Sequence, residues 1–343
     1  MTKVLVTGSS GYIGSHTVID LLNHGYEVIG IDNQSNSSIH AYDRIVEITG
    51  KTFTHYEMDL THRQELSRIM ANHPDTRGII HFAAYKSVEE SVEKPIEYYE
   101  NNIGSLVNLL AIQEEYKIPY HIFSSSCTVY GNSEVLPVTE STPWQKAESP
   151  YGFTKQICEQ ILENITTCKT DYKAVALRYF NPAGAHPSGR LGEAAIHQVR
   201  NLVPLIMETA AGKRGVLSVF GNDYPTRDGS NIRDFIHIMD LAHAHTLALE
   251  FLVQGKSQQG LEIFNIGSGH GISVLESIHA FENVNHTKLN YKIVDRRPGD
   301  VVAIYADCSK ALQLLGWKVQ FSLEDIMRDA WIWEKNKSDF LGQ

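Results

Sequence analysis

Tyr151 and Lys155 stand four residues apart in the run Ser149-Pro150-Tyr151-Gly152-Phe153-Thr154-Lys155. That spacing puts both side chains on one face of a helix, and Pro150 suits the first position of such a helix. A free phenol has a pKa near 10 and is a poor base at neutral pH. An ammonium roughly 6 Å away, at an effective dielectric of about 20, favours the phenolate by about 2.8 kcal/mol, or about two pKa units. A positive nicotinamide ring would add to this and bring the phenol into the range where acid/base catalysis works best. The plain alternative is a solvent-facing pair, because Tyr-x-x-x-Lys arises often by chance. Ser126 and Thr128, upstream in Ser124-Ser125-Ser126-Cys127-Thr128, would lie across a cleft from Tyr151. They can hydrogen-bond a sugar hydroxyl or the ketone made from it, orienting without ionising. As hydroxyls that merely cap a loop they would do neither.

A nicotinamide needs a dinucleotide site, and the chain opens with one: Val4-Leu5-Val6-Thr7-Gly8-Ser9-Ser10-Gly11-Tyr12-Ile13-Gly14, followed by a helical pattern through Val18, Leu21 and Leu22. This reads as strand, tight turn and helix. Gly8, Gly11 and Gly14 let the backbone turn sharply against a pyrophosphate, which the amides of the next helix hold. A second apolar strand, Val28-Ile29-Gly30-Ile31, ends at Asp32. A carboxylate there accepts hydrogen bonds from an adenosine ribose and repels a 2'-phosphate, so the expected cofactor is NAD, not NADP.

At 343 residues, 42% apolar and 20% charged, the chain has the composition of a globular protein of one large or two medium domains. No apolar run approaches the ~18 residues of a membrane span. The chain begins on a core strand with no basic leader before it, so a cytoplasmic location is expected. The net charge of −10 argues against nucleic acid as a partner and requires a local basic pocket for any anionic ligand. Cys127, Cys158, Cys168 and Cys308 lack C-x-x-C spacing, and reduced thiols are expected. His243 and His245 share an apparent helix but point to different faces, so they are read as structural or surface groups and no metal ligand is assigned.

Strands are expected near 3–7, 27–31, 53–57, 78–82, 120–124 and 173–178, with helices between them. The alternation implies an α/β fold, a doubly wound parallel sheet of Rossmann type, with ligands at the carboxyl ends of its strands. Asp59, Phe82-Ala83-Ala84 and Ser124-Ser125-Ser126 fall at such ends. After Asn181-Pro182 the alternation breaks and loops rich in Gly, Pro and Asp follow. The expected organisation is a dinucleotide-binding domain over 1–180, to which 238–266 return. A smaller C-terminal α/β lobe for substrate then comprises 181–237 and 267–343, with helices near 201–212, 273–281 and 322–335.

The glycine turn, Phe82-Ala83-Ala84, Lys86, Ser124 to Gly131, Tyr151 to Lys155 and Arg178-Tyr179-Phe180-Asn181-Pro182 together resemble the extended short-chain dehydrogenase/reductase superfamily. Within it, Glu97-Tyr98-Tyr99, Gly221-Asn222-Asp223-Tyr224, Arg233-Asp234 and Arg297-Pro298-Gly299-Asp300 resemble the UDP-glucose 4-epimerase family, and the likeness covers nearly the whole chain. The resemblance implies that Tyr151 removes the 4-hydroxyl proton of a UDP-hexose while hydride passes from carbon 4 to tightly held NAD. The resulting 4-keto sugar turns over and is reduced on its other face. Lys155 would hold the nicotinamide ribose, and Ser126 and Thr128 the reacting oxygen. The same resemblance implies cofactor contacts from Gly8, Gly11, Tyr12, Ile13, Gly14, Asp32, Asn33, Asp59, Leu60, Phe82, Ala83, Ala84, Lys86, Asn101 and Tyr179. It implies substrate contacts from Lys86, Phe180, Asn181, Asn201, Leu202, Ser218, Phe220, Arg233, Arg297, Asp300 and Ile304. Guanidinium forks from Arg233 and Arg297 suit a diphosphate. Ile304, intermediate in size, would set the room around the sugar's 2-substituent and leaves N-acetylated substrates open. Cys127 sits where alanine is common and is read as a small apolar substitute.

Related sugar-nucleotide dehydratases carry an Asp-Glu pair after the catalytic threonine, whereas Val129-Tyr130 follow Thr128 here. A 4-epimerase of another UDP-sugar is the nearer alternative. A non-catalytic NAD sensor would usually have lost the tyrosine or the lysine. A homodimer is expected, with the helices near 88–116 and 151–168 forming a four-helix seam as in related proteins.

Overall fold

The computed structural model describes residues 1–194, 199–297 and 300–341. Strand and helix alternate through the first half: β1 (Lys3–Thr7), α1 (Tyr12–Asn23), β2 (Glu27–Asp32), α2 (His40–Thr49), β3 (Thr54–Glu57), α3 (Arg63–Met70), β4 (Thr76–His81), α4 (Val88–Glu93), α5 (Pro95–Glu115), β5 (Tyr120–Ser126), α6 (Pro150–Cys168) and β6 (Lys173–Tyr179). Shorter strands follow, β7 (Asn181–Ala183), then α7 (Leu202–Ala210), β8 (Leu217–Phe220), β9 (Ile232–Arg233) and β10 (Phe235–His237). The chain continues through α8 (Ile238–Val253), β11 (Leu261–Ile266), β12 (Ile272–Ser273), α9 (Val274–Asn285), β13 (Tyr291–Val294), α10 (Ser309–Leu315) and α11 (Leu323–Leu341).

Seven parallel strands form one sheet in the order β11-β6-β5-β4-β1-β2-β3. The doubly wound parallel sheet is the one the alternation predicts. β1 shows why it was legible: Val4, Leu5, Val6 and Thr7 are all buried, because helices cover both faces and leave no polar side to the strand. β1 lies between β2 and β4, so the connections on its two sides leave in opposite directions and open a crevice beyond the strand ends.

β11 pairs with β6, and α8 packs against α1, β5 and β6, so both return to the large sheet. Part of the later segment expected in the smaller lobe also packs there. α10 contacts α8 and β11, and the buried Trp317 donates its indole N–H to the Asp240 carbonyl at 2.9 Å. A large aromatic needing both an apolar bed and a hydrogen-bond acceptor finds them against α8. The second half has its own core, in which Val203, Ile206 and Met207 of α7 join Ile278 and Phe281 of α9 and Met327 of α11. Three two-stranded sheets, β10-β7, β12-β9 and β13-β8, edge this core. No helix among the described residues is long and apolar enough to cross a membrane.

A buried ion pair fixes α6 to the sheet. Glu159 of α6 and Arg178 of β6 have side chains 1% and 2% exposed and meet at 2.6 Å through Arg178 Nη2, with Arg178 Nε also donating to both carboxylate oxygens. Ser125 Oγ donates to Glu159 Oε1 at 2.5 Å, and Arg178 Nη1 donates to the Tyr130 hydroxyl at 3.0 Å. Removing one partner strands a charge in the interior. Glu159→Gln is therefore expected to destabilise the fold by about 3–5 kcal/mol, read as a lowered urea midpoint. An unchanged midpoint would contradict this account of the pair.

Candidate active site

The glycine turn is built as its spacing requires. Gly8 has φ +69°, and a Cβ there would lie 2.9 Å from the Ala83 amide nitrogen; a Cβ on Gly14 would lie 2.0 Å from the Gly8 carbonyl oxygen. Only glycines allow α1 to start so close to β1. Gly11 is the residue before α1 and has no side chain to cap it, which leaves the first amides of the helix free to face an anion. Tyr12 donates its hydroxyl hydrogen to the Gly184 carbonyl at 2.7 Å, tying the turn to the end of β7.

Asp32 closes β2 and is 8% exposed, with its carboxylate accepting from Gln34 N–H and the Ser37 hydroxyl at 2.8 Å and from Ser10 N–H at 3.1 Å. These bonds fix its direction. A carboxylate has roughly four acceptor sites, so capacity remains for a ribose hydroxyl. Asn33 donates to Asp59 at 2.8 Å, joining the ends of β2 and β3. Leu60 is buried in the core beside Met58. Phe82-Ala83-Ala84 follow β4 directly, and Asn101 of α5 hydrogen-bonds Asn102. Asn102, which the sequence reading missed, holds the segment after β4 by accepting from Tyr85 N–H at 2.8 Å and donating to the Tyr85 carbonyl at 3.0 Å.

Tyr151 and Lys155 lie beside the end of β5. Ser149 caps α6 by accepting from Gly152 N–H at 3.1 Å, and Pro150 takes the first helical position. Tyr151 and Lys155 are both buried, and the Lys155 ammonium donates to the Ser124 carbonyl at 2.8 Å. It lies 5.9 Å from the centre of the Tyr151 ring and 4.8 Å from that of Phe123. The Tyr179 and Ser124 hydroxyls are 2.6 Å apart. Ser126 Oγ accepts from Thr128 N–H at 3.2 Å, while Thr128 Oγ1 is buried with no hydrogen-bond partner. A buried hydroxyl without a partner is costly.

Electrostatics in this pocket differ from the expectation in one respect. Burial holds the Tyr151 phenol well above its usual pKa, with a neighbouring Tyr179 adding to the effect and a hydrogen bond from Ser126 opposing it. The same burial pushes Lys155 down to about 8. The ammonium sits 5.9 Å from the ring centre, but burial and not this charge governs the phenol. Burial also pushes the Cys127 thiol up to about 12, so it remains an un-ionised small side chain beside Ser126.

Phe180 and Ile304 pack together with Val129 and Tyr130. Asn181 begins β7, Asn201 immediately precedes α7 and Leu202 is its first residue. Ser218 and Phe220 lie on β8, and the Arg297 guanidinium lies 5.4 Å over the Phe220 ring. Arg233 donates to the Ile232 and Val301 carbonyls at 2.8 and 2.7 Å, and burial is the main influence lowering its pKa. Pro298 and Gly299 of the Arg297 to Asp300 motif lie outside the described residues. Asp234, next to Arg233, is structural: its carboxylate accepts from the amides of Ser268, Gly269 and Ala306.

The expected basic pocket is charge-compensated. Arg297 pairs with Asp300 at 2.8 Å and Glu89 at 3.5 Å, Arg233 lies 3.8 Å from Asp300, and Lys86 pairs with Glu193 at 3.1 Å. Glu89 and Glu193 had no signal in the sequence, because their partners lie far away along the chain.

Comparison with known proteins places this geometry. The family model described as GDP-mannose 4,6 dehydratase matches residues 5–330. The UDP-glucose 4-epimerase of Bacillus subtilis is 46% identical over 333 residues, covering 97% of each chain, and that of Mus musculus is 43% identical over 350 residues, covering 100% of each. A UDP-glucose 4-epimerase from Stenotrophomonas maltophila, solved with NAD and formylated UDP-arabinopyranose, superposes with a TM-score of 0.95 at 41% identity over 99% of both chains. One from Bifidobacterium longum, solved with NAD+ and UDP, gives a TM-score of 0.93 at 42% identity over 99% of this chain and 100% of that one. At 43–46% identity over 97–100% of its length to these curated relatives, the chain belongs to the UDP-glucose 4-epimerase family of extended short-chain dehydrogenases/reductases.

Proposed function

We propose that this chain interconverts UDP-glucose and UDP-galactose by inverting carbon 4 through a 4-keto sugar, with NAD held as a permanent cofactor. The observation that carries this reading is the convergence of Tyr151, Lys155, Ser126 and the unpartnered Thr128 hydroxyl at the end of β5. Gly8, Gly11 and Gly14, with the first amides of α1, would hold the pyrophosphate, and Asp32 the adenosine ribose. The fit rests on the glycine turn, where a single Cβ on Gly14 would collide with the Gly8 carbonyl and push α1 away from β1. NAD bound there supplies a reversible hydride acceptor for carbon 4 and a cationic ring that favours the phenolate.

The residues do the remainder. Tyr151 takes the 4-hydroxyl proton and returns it to the same oxygen after the sugar has turned over. Lys155 stabilises the phenolate and orients the nicotinamide ribose. Ser126 and Thr128 hold the reacting oxygen. Arg233 and Arg297 grip the diphosphate, so the sugar can rotate without leaving. The grip exchanges carboxylate partners for phosphate ones, because Asp300 and Glu89 already neutralise those arginines. Dehydratase chemistry is disfavoured by Val129 and Tyr130, which fill the positions after Thr128, are fully buried and carry no carboxylate, the Tyr130 hydroxyl being held by Arg178 and Asn265.

We also propose a homodimer. Ile96 and Val107 of α5 and Phe153 of α6 are 65%, 49% and 46% exposed, an apolar face that a second copy would cover. In sedimentation, wild type should run at twice the chain mass and Ile96→Asp should shift it toward one; a monomeric wild type would sink the proposal.

Two outcomes test the chemistry. Tyr151→Phe should convert UDP-galactose at least about a hundredfold more slowly while retaining its bound nucleotide, followed by NMR of the product. Near-normal turnover would remove Tyr151 from its role. The nucleotide released on denaturing purified protein should be NAD by mass spectrometry, and recovery of NADP would contradict the part assigned to Asp32.

A further inference from the structure

Asp20 lies one turn before the end of α1, His24 follows that helix as its capping residue, and His243 faces both from α8, against which α1 packs. Asp20 Oδ2 is 3.3 Å from His24 Nδ1 and 3.3 Å from His243 Nδ1. The imidazole rings are 5.2 Å apart between centres and inclined by 31°, and one donor atom from each of the three residues lies within 4.8 Å of the others.

Two imidazole nitrogens with one carboxylate oxygen are a donor set for zinc and its neighbours; magnesium and calcium prefer oxygen alone. Bonds of about 2.0–2.2 Å at tetrahedral angles separate neighbouring donors by roughly 3.3–3.5 Å. The carboxylate oxygen already has that separation from both rings. We propose that Asp20, His24 and His243 form a binding site for one divalent ion of the zinc class, which staples the end of α1 to α8.

Further features of the site support this. Side-chain exposures of 13%, 25% and 38% for Asp20, His243 and His24 leave the cluster open on the His24 side, where water can complete the coordination. Asp240 and Glu250 add negative charge around His243. Helix-to-helix packing brings the third donor in from a distant part of the chain, so the set is assembled by the fold. One contact opposes binding: His24 Nδ1 is also 2.8 Å from the Asp20 carbonyl oxygen. An ion must displace that bond or take the other ring nitrogen, which makes this a reversible site and not a structural zinc centre.

The twelve residues of α1 span about 18 Å, so the cluster stands a helix length away from the glycine turn. Its ion should stabilise the fold and leave the reaction untouched.

The test is titration of tag-free, chelator-treated protein with zinc chloride and cobalt chloride by calorimetry, thermal melting and visible absorption. One ion per chain, a saturable rise in melting temperature and a tetrahedral cobalt band are expected. His243→Gln and His24→Gln should each weaken binding by about tenfold or more and remove the melting shift. His62→Gln should change nothing, because the exposed His62 side chain, 3.9 Å from Glu65, is not part of the cluster. His24 and His62 are exposed and His243 is half-buried between α1 and α8, so the metal-free melting temperatures of all three variants check that they fold. Wild-type protein without saturable binding, or binding and melting shifts unchanged by His243→Gln and His24→Gln, would overturn the proposal.

Discussion

The close approach of Gly14 to the carbonyl of Gly8 is the constraint on which the rest depends. No side chain fits between them, since a Cβ would fall 2.0 Å from the oxygen. Helix α1 is thereby seated against the end of β1 with its amides directed into the crevice between the diverging connections. α8 packs on α1, and Trp317 and α10 pack in turn on α8. The turn that would receive a pyrophosphate also sets the position of the helices around it.

A second constraint acts on the chemistry. Tyr151 and Lys155 are both driven toward their neutral forms by removal from water, the phenol upward and the ammonium down to about 8. The same low dielectric amplifies any charge placed beside them. A phenol in such surroundings responds sharply to a neighbouring cation, while in solvent the effect would be screened. Burial therefore gives the nearby charges control over the proton, and α6 must be held firmly for that control to be reproducible. Glu159 lies one turn beyond Lys155, where its bond to Arg178 sets the helix against β6.

Much of the fold was legible because parallel strands covered on both faces are nearly continuous apolar runs. β1, β2 and β5 contain those runs; β2 and β5 end at Asp32 and Ser126, and β1 ends directly before Gly8. The strands of two or three residues, β7, β9, β10 and β12, carry no periodicity and arise only from pairing with distant segments. The site divides in the same way. Tyr151, Lys155 and the three turn glycines are visible because their roles demand fixed local spacing. Glu89, Asn102 and Glu193 are invisible because their roles come from partners brought close by folding. The direction of the Tyr151 shift was likewise unreadable, since helical spacing gives a distance to Lys155 but not the depth at which the pair is buried.

The chain passes back and forth between its two halves: from β6 to β7, from β10 to α8, from β11 to β12 and from α10 to α11. Neither half is a contiguous stretch of sequence. A single genetic cut therefore cannot release a nucleotide module free to recombine with a new substrate module. Specificity in this architecture must change residue by residue within the cleft, with the two halves inherited together.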